Sequence, residues 1–224
     1  LIFEFFAGCG SVSSVFRFFG WRTMSWEINP RLAKRSRSFC QDVTKVNFGK
    51  IEKPDFIWGS PPCTGYSIST PKEKRMSKEM QQLNMLCKWM VRTADKLCPL
   101  WALENPARTA LEREPFMQKW NRATYACCSY GRPYQKLTNL WTSEKLKLNL
   151  LGCRCKDRPG FTGHRVTLGG NYGGGHDASM WSRRVNKARI PTLLVIAVMR
   201  QVEKHLPPRF RDFLVKRRVN LAFP

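Results

Sequence analysis

Acidic residues are scarce in this chain. Its 224 residues hold 16 Asp and Glu against 39 Lys and Arg, a formal charge of +23. An excess of that size disfavours a cationic partner and favours a polyanion, through Coulomb attraction and counterion release. Nucleic acid is the first such polyanion and an anionic membrane surface the second. The membrane reading lacks its main requirement, because no uninterrupted apolar run approaches spanning length. Internal repeats and extended low-complexity tracts are also lacking, and no charged-then-apolar leader opens the printed sequence. The nine cysteines are odd in number and scattered, with Cys127 and Cys128 adjacent. That arrangement excludes a simple secreted disulfide framework and predicts a reducing compartment: the cytoplasm of a prokaryote or of a virus-infected cell, or a nucleus. Leu1 already reads as part of a strand, so the expectation is a domain cut from a longer protein.

Short apolar runs alternate with helical patterns. Residues 1–6 form a buried strand that stops at Gly8 and Gly10. Ser11 is placed to cap a helix carrying Val12, Val15, Phe16 and Phe19. A strand over residues 22–26 closes at Glu27 and the Asn29-Pro30 breaker, and a short basic helix follows over 31–39. Strands are expected at 56–58 and 101–103, with a helix over 79–97 between them. Two further strands flank Gly131-Arg132-Pro133 within 123–141, and a helix covers 190–205. This alternation predicts an α/β fold with a mostly parallel sheet. Residues 1–142 read as the core and 143–188 as a short, Gly-rich, basic region. Residues 189–224 read as a helix that returns to the core, followed by a basic tail.

The glycine turn lets backbone approach a ligand closely and presents helix N-terminal amides. No Gly-Lys-Ser/Thr follows it, so it is not a phosphate-binding P-loop, and it is shorter than the dinucleotide fingerprint. A nucleoside without pyrophosphate, such as S-adenosylmethionine, fits better. Glu27 is placed for ribose hydroxyls and Asp42 for an adenine amino group. At the other end, Pro61 and Pro62 stiffen the backbone just before Cys63, whose thiolate would be a nucleophile. Lys72, Lys74 and Arg75 are the cations expected to lower its pKa. Glu104, at the end of an apolar strand, would be partly desolvated and suited to proton donation. The pair makes sense for attack on carbon 6 of cytosine. Protonating ring nitrogen 3 neutralises the charge that spreads onto the ring, and carbon 5 then becomes nucleophilic enough to accept a methyl group. The other eight cysteines are read as small buried hydrophobes.

These segments resemble the cytosine-5 methyltransferase family. Glu4-Phe5-Phe6-Ala7-Gly8-Cys9-Gly10 is similar to its opening Asp-Leu-Phe-Ala-Gly motif, Ser60-Pro61-Pro62-Cys63 to its Pro-Cys motif, and Glu104-Asn105 to its Glu-Asn motif. Gly131-Arg132-Pro133-Tyr134-Gln135-Lys136 is similar to the segment whose basic residue contacts the target base, and Arg189-Ile190-Pro191 with Leu194 to the closing cofactor-side helix. The look is that of compact phage or viral-type DNA methylases. The resemblance implies a Rossmann-like fold that takes S-adenosylmethionine and a small irregular target-recognition region at 143–188. It implies catalytic roles for Cys63, Glu104 and Lys136, and cofactor contacts from Phe6, Ala7, Gly8, Cys9, Gly10, Glu27, Ile28, Asp42 and Pro61. Nucleic-acid contacts fall to Ser67, Arg75 and Asn105. The partner implied is double-stranded DNA, with RNA as the alternative and a monomer as the favoured state; a base in a duplex must be flipped out to be reached. Residues 143–188, with nine Lys or Arg against three Asp or Glu, would supply phosphate contacts.

The chain departs from the family pattern at Thr64, where Gln is usual, at Pro106, where Val is usual, and at Lys136-Leu137-Thr138, where an Arg-x-Arg pair is expected. The Gln-Arg segment that braces the recognition region is missing. These departures bear on sequence specificity more than on chemistry. Three other readings stand beside the leading one: a transfer-RNA cytosine-5 methyltransferase, an amino-group methyltransferase, and a binding subunit with a degenerate site. Ser60-Pro61-Pro62 fits an amino-group enzyme in three of four places, but Cys63 replaces its aromatic residue. Cys153, Cys155, His164 and His176 are donor types that a structural zinc takes. Cys-x-Cys is a less common ligand spacing than Cys-x-x-Cys, and no metal ligand is assigned.

Overall fold

A computed structural model describes residues 1–63, 78–157 and 189–208. Seven strands form one sheet: β1 (Ile2–Phe5), β2 (Thr23–Glu27), β3 (Phe39–Cys40), β4 (Phe56–Gly59), β5 (Trp101–Pro106), β6 (Asn121–Ala126) and β7 (Leu137–Thr142). Their spatial order is β3-β2-β1-β4-β5-β7-β6. The first five strands pair in parallel, and β7 runs antiparallel between β5 and β6. This is the mostly parallel, Rossmann-like architecture expected from the sequence. The chain winds outward from β1 to β3, then crosses back to β4 on the other side of β1. Ligands in open α/β sheets bind outside the carboxyl ends of strands at such a reversal.

Strands β1 and β4 are buried along their whole length, as continuous apolar runs in a parallel sheet should be. Phe3, Phe5 and Trp26 pack edge to face, with ring centroids 5.1 Å apart for Phe3–Trp26 and 5.7 Å for Phe5–Trp26. The helices are α1 (Ser11–Phe18), α2 (Pro30–Ser36), α3 (Lys78–Leu97) and α4 (Thr192–Glu203). Helix α4 buries Leu194, Val195, Val198, Met199 and Val202, and Trp21 Nε1 donates to Glu203 Oε1 at 3.2 Å. Among the described residues, no helix is long and apolar enough to cross a membrane.

Three local expectations are corrected. Ser11 does not cap α1. Gly10 holds the cap position at φ 70° without a side-chain bond, and Glu4 Oε2 accepts the Ser13 N–H at 2.8 Å instead. The Ser11 hydroxyl accepts the Ile190 N–H at 3.2 Å, tying the approach to α4 to the start of α1. The Asn29-Pro30 pair does more than close the strand: it starts the helix at Pro30, one residue before the expected Arg31. Asn29 Oδ1 accepts from the Arg31 and Leu32 amides, and Pro30, whose missing N–H costs nothing there, is the first helical residue. That helix ends at Ser36 because Arg37 turns left-handed at φ 57°, which frees Phe39 and Cys40 to form β3. Finally, β5 runs on to Pro106 instead of stopping at Leu103, so Glu104 lies inside the strand rather than at its end.

Candidate active site

The strand register brings the two halves of the site to one edge of the sheet. Phe5 is level with Trp26 on one side and Gly59 on the other, and Gly59 is level with Leu103. The next residues, Phe6, Glu27, Ser60 and Glu104, therefore emerge side by side at the carboxyl edge. Backbone bonds fix this alignment: Ala7 N–H donates to Trp26 O at 2.9 Å, and Ser60 N–H to Phe5 O at 3.2 Å.

On the β1–β2 side, residues 6–10 form a turn with positive φ at Phe6 (58°), Gly8 (53°) and Gly10 (70°). Glu27 organises it. Its Oε2 accepts the Gly8 N–H at 2.7 Å and its Oε1 the Asn29 N–H at 2.9 Å. A carboxylate has lone pairs beyond these two bonds, so Glu27 retains capacity for hydroxyl donors. A Cβ placed on Gly8 would meet nothing within 4 Å, so the space beside this backbone is open. Gly10 differs, because a Cβ there would lie 2.8 Å from Ser36 Cβ. Next to Glu27, Ile28 stands 69% exposed, an apolar face with no protein cover. Asp42 follows β3. Its Oδ1 accepts the Thr44 N–H and hydroxyl, capping the short turn Val43–Lys45. Cys9 is half-buried and Ala7 is buried. Open space over glycine backbone, a ribose-compatible carboxylate and an apolar shelf together fit S-adenosylmethionine.

On the β4–β5 side, Pro61 is buried, Pro62 exposed and Cys63 half-buried. Asn105, expected at the nucleic acid, is fully buried. Its Nδ2 donates to Pro61 O at 3.2 Å, so it pins the Pro61–Cys63 turn to β5 and acts as a positioning residue. The correction has a simple cause. Side chains alternate along a strand, and within β5 the residue after Glu104 points to the opposite face. Glu104 is 7% exposed. Its Oε1 has no hydrogen-bond partner among the described residues and faces Lys136 Nζ at 3.8 Å. Lys136 reaches it because β7 is antiparallel to β5, so the residue just before β7 returns to the edge where β5 ends.

Burial pushes the Glu104 carboxyl upward, and Lys136 partly opposes that. Burial works against the charge of Lys136, yet Glu104 and, in their ionised forms, Cys127 and Cys63 leave its pKa raised. The two shifts share one charge interaction, which acts fully only when Glu104 is ionised. Burial acts on Glu104 in either case, so the direction that holds for the pair is upward at Glu104, a carboxyl able to carry a proton. Cys63 does not behave as its sequence setting suggested. Burial raises its pKa, Glu104 raises it further, and Lys136 lowers it. At rest it is a thiol, and Lys136 is the cation that tunes it. Lys72, Lys74 and Arg75, with the expected contacts Ser67 and Arg75, lie outside the described residues. So do Thr64, His164, His176, the part of the recognition region at 158–188, and the tail from 209.

Sequence reasoning found Glu104 and Lys136 separately but not as a pair. It missed two groups outright. Glu4 is buried with a pKa raised by desolvation from 4.5 to about 7, against hydrogen bonds from Ser13. Cys128, read as a small buried hydrophobe, is half-buried with its sulfur within 4.8 Å of those of Cys153 and Cys155. Glu4 reads only as the first residue of the opening motif and Cys128 only as a packing residue, because the surroundings of each depend on partners brought in by the fold.

Residues 1–106 match the model of the family described as C-5 cytosine-specific DNA methylase. The match contains Gly8, Glu27, Cys63 and Glu104 and stops before Lys136. No curated protein matches the chain. Solved structures to which it is similar include a DNA modification methyltransferase encoded within an E. coli prophage. That pair has 20% identity and a TM-score of 0.47, with 66% of this chain and 48% of that chain covered. The Entamoeba histolytica methyltransferase EhMeth has 14% identity and a TM-score of 0.48, with 68% and 56% covered. The S. pombe Dnmt2 methyltransferase has 11% identity and a TM-score of 0.46, with 66% and 52% covered. The chain thus spans about half the length of the solved structures it matches.

Proposed function

We propose that this chain, whose residues 1–106 carry the pattern of the C-5 cytosine-specific DNA methylase family, is a DNA (cytosine-5)-methyltransferase that acts on a flipped-out cytosine through a covalent Cys63 adduct. The observation that carries this reading is the buried Glu104 carboxyl. It has one oxygen without a hydrogen-bond partner among the described residues, a lysine at 3.8 Å, and a thiol close enough to feel both groups when they are charged. An ionised carboxylate with an unmet oxygen is costly to bury, whereas a protonated one is ready to donate to a ring nitrogen.

S-adenosylmethionine, when bound, supplies the methyl group as a sulfonium electrophile. Glu27 and the 6–10 turn would hold its ribose, Ile28 and Asp42 its adenine, and Phe6 and Pro61 would flank it between the two strand ends. Cys63 Sγ bonds to carbon 6 of cytosine and gives up its proton to solvent water as it does so, with the charge of Lys136 favouring the developing thiolate. Glu104 gives its proton to ring nitrogen 3, so the adduct is a neutral enamine nucleophilic at carbon 5. After carbon 5 is methylated, it loses its proton to a water molecule acting as base. The ring electrons then expel Cys63, and ring nitrogen 3 returns its proton to Glu104. Asn105 keeps the Cys63 turn at the correct height above β5. The positive charge of the chain draws in the nucleic acid.

The test is methyl transfer from labelled cofactor to duplex DNA and, separately, to transfer RNA, followed by nucleoside analysis. 5-Methylcytosine in DNA supports the proposal. 5-Methylcytosine confined to RNA moves it to the RNA branch. N4-methylcytosine or N6-methyladenine overturns it. Absence of transfer to any nucleic acid favours a degenerate binding subunit.

A further inference from the structure

We infer that Cys128, Cys153 and Cys155 form a site for a thiophilic divalent cation, zinc by preference, which clips the root of the 158–188 region to the catalytic module. The three sulfurs lie within 4.8 Å of one another. Tetrahedral zinc with Zn–S bonds of about 2.3 Å sets its sulfurs roughly 3.8 Å apart, so a contraction of about 1 Å at most closes the set. Thiolate donors select zinc over magnesium or calcium, which take oxygen. The fourth tetrahedral position is left to water.

The sulfurs are held on a built frame. Cys128 sits in the short turn Cys127–Tyr130 after β6, while Cys153 and Cys155 lie on the segment that leaves β7. Three bonds tie the two backbones together. Ala126 N–H donates to Leu151 O at 3.1 Å, Leu151 N–H to the Tyr130 hydroxyl at 2.9 Å, and the Ser129 hydroxyl to Gly152 O at 2.5 Å. An odd set of three sulfurs also suits a metal better than a disulfide, which would strand one of them. Binding replaces the thiol protons, which leave to solvent, and no oxidation is involved.

The consequence reaches the site. Cys127 N–H donates to Lys136 O at 3.1 Å, so the turn that carries Cys128 also fixes the backbone of the lysine facing Glu104. Two residues after Cys155 the described segment ends and the basic 158–188 stretch begins. A metal here fixes where that stretch departs, a role that the sequence otherwise leaves without its Gln-Arg brace.

The experiment uses the full chain, purified under reducing conditions and loaded with zinc or cobalt, with metal content read by mass spectrometry. About one equivalent per chain is expected, with a cobalt–thiolate charge-transfer band. Cys128→Ser, Cys153→Ser and Cys155→Ser should each weaken binding by roughly 10-fold or more, while Cys40→Ser leaves it unchanged. A thiol count on the folded wild type, with and without chelator, should show three additional reactive thiols once metal is removed. Metal content unchanged in all three variants overturns the inference, as does a disulfide within the set. If the variants fail to fold, the wild type decides: no charge-transfer band and no chelator effect on the thiol count also overturn it.

Discussion

Glu104→Gln separates proton donation from every other role of this side chain. The amide keeps the shape and can still donate a hydrogen bond to ring nitrogen 3, but it cannot transfer the proton. General acid catalysis contributes about 10²–10⁴-fold, so methyl transfer should fall by that factor, about 3–5 kcal/mol in the barrier. The same substitution acts on Cys63 in the opposite direction. Lys136 Nζ lies 3.8 Å from Glu104 Oε1. A full charge pair at that distance is worth about 4 kcal/mol gross at an effective dielectric of about 20. The raised Glu104 carboxyl still ionises as pH climbs, and its carboxylate then neutralises Lys136 and raises the Cys63 pKa; Gln cannot ionise, so in the variant neither effect sets in. The thiol pKa therefore falls. The assay measures two rates on one preparation: methyl transfer to DNA, and alkylation of Cys63 by iodoacetamide across pH 7 to 9, with the adduct located by peptide mapping. Transfer should drop while alkylation toward pH 9 exceeds that of the wild type. A parallel loss of both would mean that the substitution merely displaces the Cys63 turn. Unchanged transfer would refute the role of Glu104 as acid.

The two turn glycines should respond differently to alanine. Both have positive φ, so each costs about 1 kcal/mol in backbone strain. Gly10→Ala adds a Cβ at 2.8 Å from Ser36 Cβ and should lower the melting temperature clearly more than Gly8→Ala. Gly8→Ala fills open space and should act mainly as a rise in cofactor Kd by calorimetry; equal melting temperatures with unchanged Kd would contradict the reading of this turn. Glu4 makes stability depend on pH. Its folded pKa is raised from 4.5 to about 7, so its contribution is fully present below 4.5 and is lost as pH climbs through 7, by about 3 kcal/mol. Urea unfolding of wild type and Glu4→Gln at pH 4.5 and pH 8 should show the difference moving by about that amount in favour of Gln at pH 8; a difference that ignores pH would refute it. Asn105→Ala removes the bond to Pro61 O and should slow transfer while leaving DNA affinity within about two-fold, since its side chain turns away from Glu104 and is held on Pro61 O.

The fold was legible where periodicity and punctuation agree. Fully buried β1 and β4 read as apolar runs, and Gly8 and Gly10 marked the turn between β1 and α1. Local hydrogen bonding decided the rest. Asn29-Pro30 contains two opposite signals, a breaker and a helix start, and the Asn29 side chain settles it by capping α2. Glu4 and Ser11 exchange the roles their positions suggest, because the buried carboxylate lies nearer the first amides of α1. In the site, residue types were readable but their couplings were not. Lys136 meets Glu104 only because β7 is antiparallel to β5, and Cys128 meets Cys153 and Cys155 only because the chain folds back across the β6–β7 hairpin. Asn105 was misplaced for a similar reason: its motif neighbour faces the site, but strand alternation turns Asn105 toward Pro61.

The central claim is a transient bond between one sulfur and carbon 6 of the pyrimidine. Duplex DNA carrying 5-fluorocytosine in place of cytosine, incubated with the protein and methyl-labelled cofactor, tests it directly, because carbon 5 then has no proton to lose and the adduct cannot resolve. A denaturation-resistant protein–DNA species that carries the label, maps to Cys63 and vanishes in Cys63→Ala is the predicted result. Methyl transfer to normal cytosine that survives Cys63→Ala, or trapping at any other residue, would contradict it.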